Sequence, residues 1–184
     1  MKPGRRRSIR LPGYDYASAG CYFVTICCKD RAHLFGEIRE GEMVLNEAGK
    51  LVEESWLETE AIRPNCRIHE YIIMPNHLHG IIEIIGSPNP DFTQSDMPKF
   101  ASPSGTIGSI VRGFKIKSIM KIRELVCRGE LQFAPTGLKI IELDCKIWQR
   151  NYFEHIIRNE ESCQKIANYI RNNPAQWQED EYFR

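Results

Sequence analysis

The sequence predicts a single α+β domain, and three observations carry that expectation. Residues 21–28 and 67–85 are dense in aromatic and β-branched side chains, the composition of strands. Residues 46–63, 107–126 and 159–173 place apolar side chains at helical spacing. The two patterns alternate along a chain of 184 residues, a length that suits one domain with a core of its own. The domain is taken as residues 1–184, with a basic arm at 1–15 and a flexible loop at 86–104.

The arm carries Lys2, Arg5, Arg6, Arg7 and Arg10, a cluster that either grips phosphates or is a solvated terminus. No apolar stretch follows it, and no apolar run approaches membrane-spanning length, so a cytoplasmic location and no membrane partner are expected. Formal net charge is +1, which excludes global basicity as a signal for nucleic acid and leaves only the placement of charge. The seven cysteines are odd in number, scattered and without a C-x-x-C pair, which argues for reduced thiols over a disulfide framework or a zinc knuckle.

The first core strand is expected at Cys21 to Cys28, apolar enough to be buried on both faces. At Asn46 the period changes: Asn46 can cap, Glu47 suits a first turn, and Ala48, Leu51, Val52, Ser55 and Trp56 follow at helical spacing until Pro64. A hairpin comes next, with strands at Arg67 to Met74 and His77 to Ile85 around the Pro75-Asn76 step. Alternation puts His77 and His79 on one face of its second strand and Leu78, Gly80, Ile82 and Ile84 on the other. Two adjacent imidazoles can hold one divalent metal through neutral nitrogens, given a third ligand from elsewhere.

The loop at 86–104 is rich in Pro, Ser, Asp and Gly, and its length marks it as functional or disordered. Helical spacing resumes at Ile107 and runs to Val126, with Arg112, Lys115, Lys117, Lys121 and Arg123 on the remaining surface and Glu124 the single acid. Gly113 within it permits close approach of another backbone. Strands are expected at Leu138 to Leu143 and within Trp148 to Ile157, and a last helix begins at Asn159 and ends before Pro174. On that helix Tyr169 and Asn173 are four apart and share a face. An amide oxygen can ligate a hard cation, and a phenol beside it can attack phosphorus; read alone, Ile166, Tyr169 and Ile170 equally make an apolar packing stripe.

The segments Tyr22-Phe-Val-Thr-Ile26, Ile73-Met-Pro-Asn-His-Leu-His-Gly80, Ile110-Val-Arg-Gly-Phe-Lys115, Trp148-Gln-Arg-Asn-Tyr-Phe-Glu-His-Ile-Ile-Arg158 and Tyr169-Ile-Arg-Asn-Asn-Pro174 cover nearly the whole chain in order. In these the chain resembles the REP-associated tyrosine transposases, a branch of the single-tyrosine HUH-type transposases. The resemblance implies a ferredoxin-like antiparallel sheet with helices packed on one side. It implies that His77 and His79 hold Mg²⁺ or Mn²⁺, that Tyr169 is the catalytic nucleophile, and that Asn173 is the third metal ligand, a position where some relatives have Gln. It further implies strand transfer in single-stranded or hairpin DNA through a 5′-phosphotyrosine, by a monomer or homodimer. Arg5, Arg6, Arg7, Arg112, Lys115, Lys117 and Lys121 would then hold the DNA backbone. Two other readings compete: a DNA-binding protein of the same fold that transposes nothing, and a metallohydrolase of small phosphate esters with water as nucleophile.

Overall fold

The computed structural model describes residues 14–85, 105–129 and 146–183. Four strands, β1 (Gly20–Cys27), β4 (Cys66–Met74), β5 (His77–Ile84) and β6 (Phe153–Ile157), form one sheet in the order β4-β5-β1-β6. All neighbours are antiparallel. Helix α1 (Glu47–Ile62) connects β1 to β4, and α2 (Ile107–Cys127) lies between β5 and β6 in the chain. This is the ferredoxin-like α+β arrangement expected. A two-stranded hairpin, β2 (Gly36–Arg39) with β3 (Glu42–Leu45), is inserted before α1, and α3 (Glu160–Asn172) follows β6.

Local chemistry explains the boundaries. Asn46 caps α1 by accepting from the Gly49 amide at 2.9 Å, and Asn159 caps α3 by accepting from Ser162 at 2.8 Å. Pro75 and Asn76 join β4 to β5 directly, and their carbonyls are held by the amides of Leu34, Phe35 and Cys28. The β2–β3 hairpin has no counterpart in the sequence reading. Its turn residues, Glu40 and Gly41, both adopt positive φ, 52° and 80°, as a two-residue hairpin of matching twist requires, but Glu-Gly is a weaker signal than Asn-Gly or Asp-Gly.

The two faces of the sheet are covered differently. Tyr22, Val24, Ile26, Leu78, Ile82, Ile84 and Ile73 point to one face and pack with Val52 and Trp56 of α1 and with Ile110, Phe114 and Ile122 of α2. This is the main core, and both crossover helices lie on that side as expected. Helix α3 crosses the opposite face, where Ala167 and Ile170 meet Ile81 and Ile157 over a smaller apolar cluster. The expected Leu138–Leu143 strand, the 86–104 loop and the basic arm lie outside the described residues. The described cysteines are all free thiols.

Two expectations about α2 change. Gly113 is approached by a side chain instead of a backbone: a Cβ there would stand 2.9 Å from Nη2 of Arg63, which donates to the Ser109 carbonyl at 2.9 Å. The lysines also do more than coat a surface. Lys117 pairs with Glu58 at 2.6 Å, and Lys121 bridges Glu54 and Glu58 at 2.9 Å each, tying α2 to α1.

At Gly80 the sheet is crossed by the indole of Trp56, and a Cβ would lie 2.5 Å from its Cζ2. Gly80→Ala is therefore expected to cost about 1–3 kcal/mol through overpacking, read as a lower urea midpoint at unchanged slope. An alanine variant as stable as the parent would mean that Trp56 can withdraw without loss.

Candidate active site

On β5 the pleat sends His77 and His79 to the α3 side, and their ring centroids are 4.4 Å apart. Both rings are fully enclosed by protein. Each has one nitrogen fixed by a neighbour. Asn76 donates from Nδ2 to the carbonyls of Arg31 (3.3 Å) and Tyr182 (2.9 Å), so its Oδ1 is the atom that faces Nδ1 of His77 at 2.8 Å. Nδ1 of His77 must then carry the proton, and Nε2 presents a lone pair into the site with no hydrogen-bond partner. Thr25, paired with His79 across the strands, places Oγ1 2.8 Å from Nδ1 of His79 and leaves Nε2 of that ring facing the same space. Holding Nδ1 from behind and freeing Nε2 is how protein scaffolds prepare an imidazole for a metal.

Helix α3 brings the remaining groups. Its apolar stripe docks Ala167 and Ile170 on the sheet and leaves Tyr169 at the edge, 40% exposed, with its hydroxyl 3.2 Å from Nε2 of His79. The Phe23 ring stacks on His79 at 5.4 Å and meets Tyr169 edge-on at 6.2 Å, so one aromatic from β1 braces both. One turn beyond Tyr169, Asn173 is 2% exposed. Its Nδ2 donates to Asp180 at 2.7 Å, and its Oδ1 is buried without a partner.

Asp180 was missed by the sequence reading. After α3 the chain doubles back over the histidines: Trp177 and Tyr182 set their rings 5.9 Å and 4.7 Å from His77, and Arg31 holds the Glu181 carbonyl at 2.7 Å. This places an Asp180 carboxylate oxygen within 4.8 Å of both histidine nitrogens. No period or motif marks such a segment. Its aromatic density, Trp177, Tyr182 and Phe183 close together beyond a helix-stopping proline, was the available signal.

The donor set fits a divalent cation. The orphaned Nε2 of His77 and Oδ1 of Asn173 are buried acceptors, which are costly to leave unpaired, and both belong to groups around one space with Asp180 beside it. Two imidazoles with amide and carboxylate oxygens are a donor set for a divalent metal. Burial drives the pKa of His77 down to about 3, with Arg31 and His33 adding to it, and burial and then His77 push His79 well below its ordinary value despite Asp180. Both rings are therefore neutral at physiological pH, the state a ligand needs. Burial, then the carboxylates of Asp180 and Glu181, raise the Tyr169 phenol to about 12.

The other residues singled out in the sequence stand apart from this group. Lys115 reaches from α2 to the segment before β6, donating to the carbonyls of Gln149 (2.8 Å) and Asn151 (3.1 Å), and burial lowers its pKa to about 8. Lys117 and Lys121 face α1, Arg112 is exposed on α2, and Arg5, Arg6 and Arg7 lie outside the described residues.

Sheet order and helix placement are those of a REP-associated tyrosine transposase fold. The solved structure of one such transposase bound to a REP hairpin aligns with a TM-score of 0.52 at 19% identity, over 96% of this chain and 74% of that one. The chain itself belongs to the same family as an uncharacterized protein of Haemophilus influenzae, with which it is 44% identical across 97% of this chain and 93% of the relative. No family model matches the sequence. No described helix is long and apolar enough to cross a membrane.

Neutral buried histidines make stability depend on acid. The unfolded chain protonates each near pH 6.5, whereas native His77 resists until about pH 3. Stability is then complete above roughly pH 6.5 and falls as pH drops toward 3, by up to about 1.4 kcal/mol per pH unit per histidine. Urea unfolding in chelator is expected to show a lower midpoint at about pH 5 than at about pH 7.5. Equal midpoints would place both rings in contact with water.

Proposed function

We propose that this protein is a metal-dependent single-stranded DNA endonuclease and strand transferase that forms a covalent 5′-phosphotyrosine at Tyr169. The observation that carries the reading is the 3.2 Å approach of the Tyr169 hydroxyl to Nε2 of His79, on the same side of the sheet as the unpartnered Nε2 of His77 and Oδ1 of Asn173. His77, His79 and Asn173 would hold Mg²⁺ or Mn²⁺, with Asp180 as an added carboxylate. When bound, the cation would neutralise charge on the non-bridging oxygens of a scissile phosphate.

The chain's own groups account for the remainder. Phe23 and α3 orient Tyr169 so that its oxygen faces the histidines instead of solvent. In the resting site its oxygen lies 3.2 Å from Nε2 of His79, and burial, then Asp180 and Glu181, disfavour the phenolate. Attack forms the Tyr169 O–P bond, the phenolic proton departs, and the P–O3′ bond breaks to give a protonated 3′-OH. Attack by a second 3′-OH reverses the sequence and joins strands, so the stored phosphotyrosine bond makes ATP unnecessary. The exposed Tyr169 edge leaves room for a strand to enter. Arg112 and the Arg5, Arg6 and Arg7 arm are the basic groups proposed to meet its backbone. Lys115, Lys117 and Lys121, like Arg112, also make contacts within the protein, so a phosphate would compete for all of them.

Tyr169→Phe is expected to abolish the adduct formed with a hairpin-bearing oligonucleotide in Mn²⁺, seen on a denaturing gel, while hairpin affinity changes less than about twofold. An adduct persisting in that variant would transfer the nucleophile to another residue. Binding without cleavage by the parent protein would instead identify a DNA-binding protein of this fold. Replacing His77 and His79 together by Ala should reduce metal-dependent cleavage to background, and cleavage surviving in chelator would refute the metal assignment.

A further inference from the structure

A second set of ligand-type side chains converges on the α3 side of the sheet, away from the histidine pair. Cys21 on β1 is the cross-strand partner of Glu83 on β5, four residues beyond His79, or roughly 13 Å at about 3.3 Å per residue. On β4 the register shifts between Ile68 and Tyr71, and this bulge sets Nε2 of His69 2.8 Å from Oε2 of Glu83. A sulfur of Cys21, a nitrogen of His69 and a carboxylate oxygen of Glu83 lie within 4.8 Å of one another. Three adjacent strands thus contribute one donor each. Cys163, in the first turn of α3, packs against the same apolar cluster as Cys21. The Tyr169 chemistry uses none of these groups.

We propose that Cys21, His69 and Glu83 form a second metal site, selective for a thiophilic dication of the zinc class. The donor set decides the class: thiolate, imidazole and carboxylate are the ligands of zinc, whereas Mg²⁺ disfavours sulfur. Charge also balances, because thiolate and carboxylate together neutralise a dication while the imidazole stays neutral. Donors around tetrahedral zinc at about 2.0–2.3 Å stand roughly 3.3–3.7 Å apart. Exposed His69 and half-buried Glu83 can turn through the remaining ångström, and the solvent side leaves a fourth position for water.

The balance of the binding step is simple. Without a cation the Cys21 thiol stays protonated, raised first by burial and then by Glu83 and Cys163. Binding exchanges that proton for the metal–sulfur bond, so affinity rises with pH. The bound ion would join β1, β5 and the bulge of β4 at the end of the sheet remote from the turn that carries the histidines.

Cobalt reads this site separately from the histidine pair, because only a thiolate ligand gives a near-ultraviolet thiolate-to-cobalt charge-transfer band. The full chain titrated with Co²⁺ is expected to develop that band and to lose it on adding Zn²⁺. Cys21→Ser should remove it, and His69→Ala, an exposed substitution that does not threaten folding, should weaken cobalt binding at least about tenfold. Cys27→Ser should leave it unchanged; Cys27 lies opposite His77 in register and is the thiol that would report the other site. Absence of the band, its survival in Cys21→Ser, its loss in Cys27→Ser, or undiminished affinity in His69→Ala would each overturn the proposal.

Discussion

Two imidazoles enclosed by protein, each held by a hydrogen bond at Nδ1, are the constraint from which the active side of this molecule is built. Burial forbids them charge, so their remaining nitrogens are lone-pair donors at physiological pH. The fixing partners come from the turn and the neighbouring strand: Asn76 for His77 and Thr25 for His79. Register supplies this without any added element, because antiparallel pairing sets Thr25 directly across from His79. A one-residue slip would send both rings into the main core against Trp56 and Phe114.

The sheet divides stability from chemistry. One face packs α1 and α2 over a continuous apolar core, reinforced by Lys117 and Lys121 reaching the α1 carboxylates. The other face carries a smaller apolar cluster beneath α3, next to the histidine pair and Thr25. The helix that presents the phenol is held by Ala167, Ile170 and the Arg171–Glu70 ion pair instead of by the main core. Glu70 and His69 both occupy the bulge of β4, so one irregularity serves the docking of α3 and the second cluster of ligands.

Legibility followed the physics of each element. Strand β5 and its turn were readable because two-residue alternation and a Pro-Asn step are local signals, and α1, α2 and α3 because caps and helical spacing are. Hairpin β2–β3 escaped because its strands are short and its Glu-Gly turn is weakly marked. The ion pairs of Lys117 and Lys121 were not legible, since their partners Glu54 and Glu58 lie on another helix, about sixty residues earlier in the chain. Asn173 was found by its spacing from Tyr169, whereas Asp180 sits on an irregular segment to which no periodicity applies.

The sequence by itself determined the faces: which residues of β5 look toward α3, which of α3 look toward β5, and where the capped helices begin and end, because these depend on backbone periods and caps that act over a few residues. Tertiary structure alone decided the distances: that the Tyr169 hydroxyl comes within 3.2 Å of His79, that the tail returns Asp180 to the pair, and that Cys21, His69 and Glu83 meet. The reason is that such contacts are fixed by how apolar surfaces stack across the sheet, a sum over the whole core that no local stretch of sequence contains.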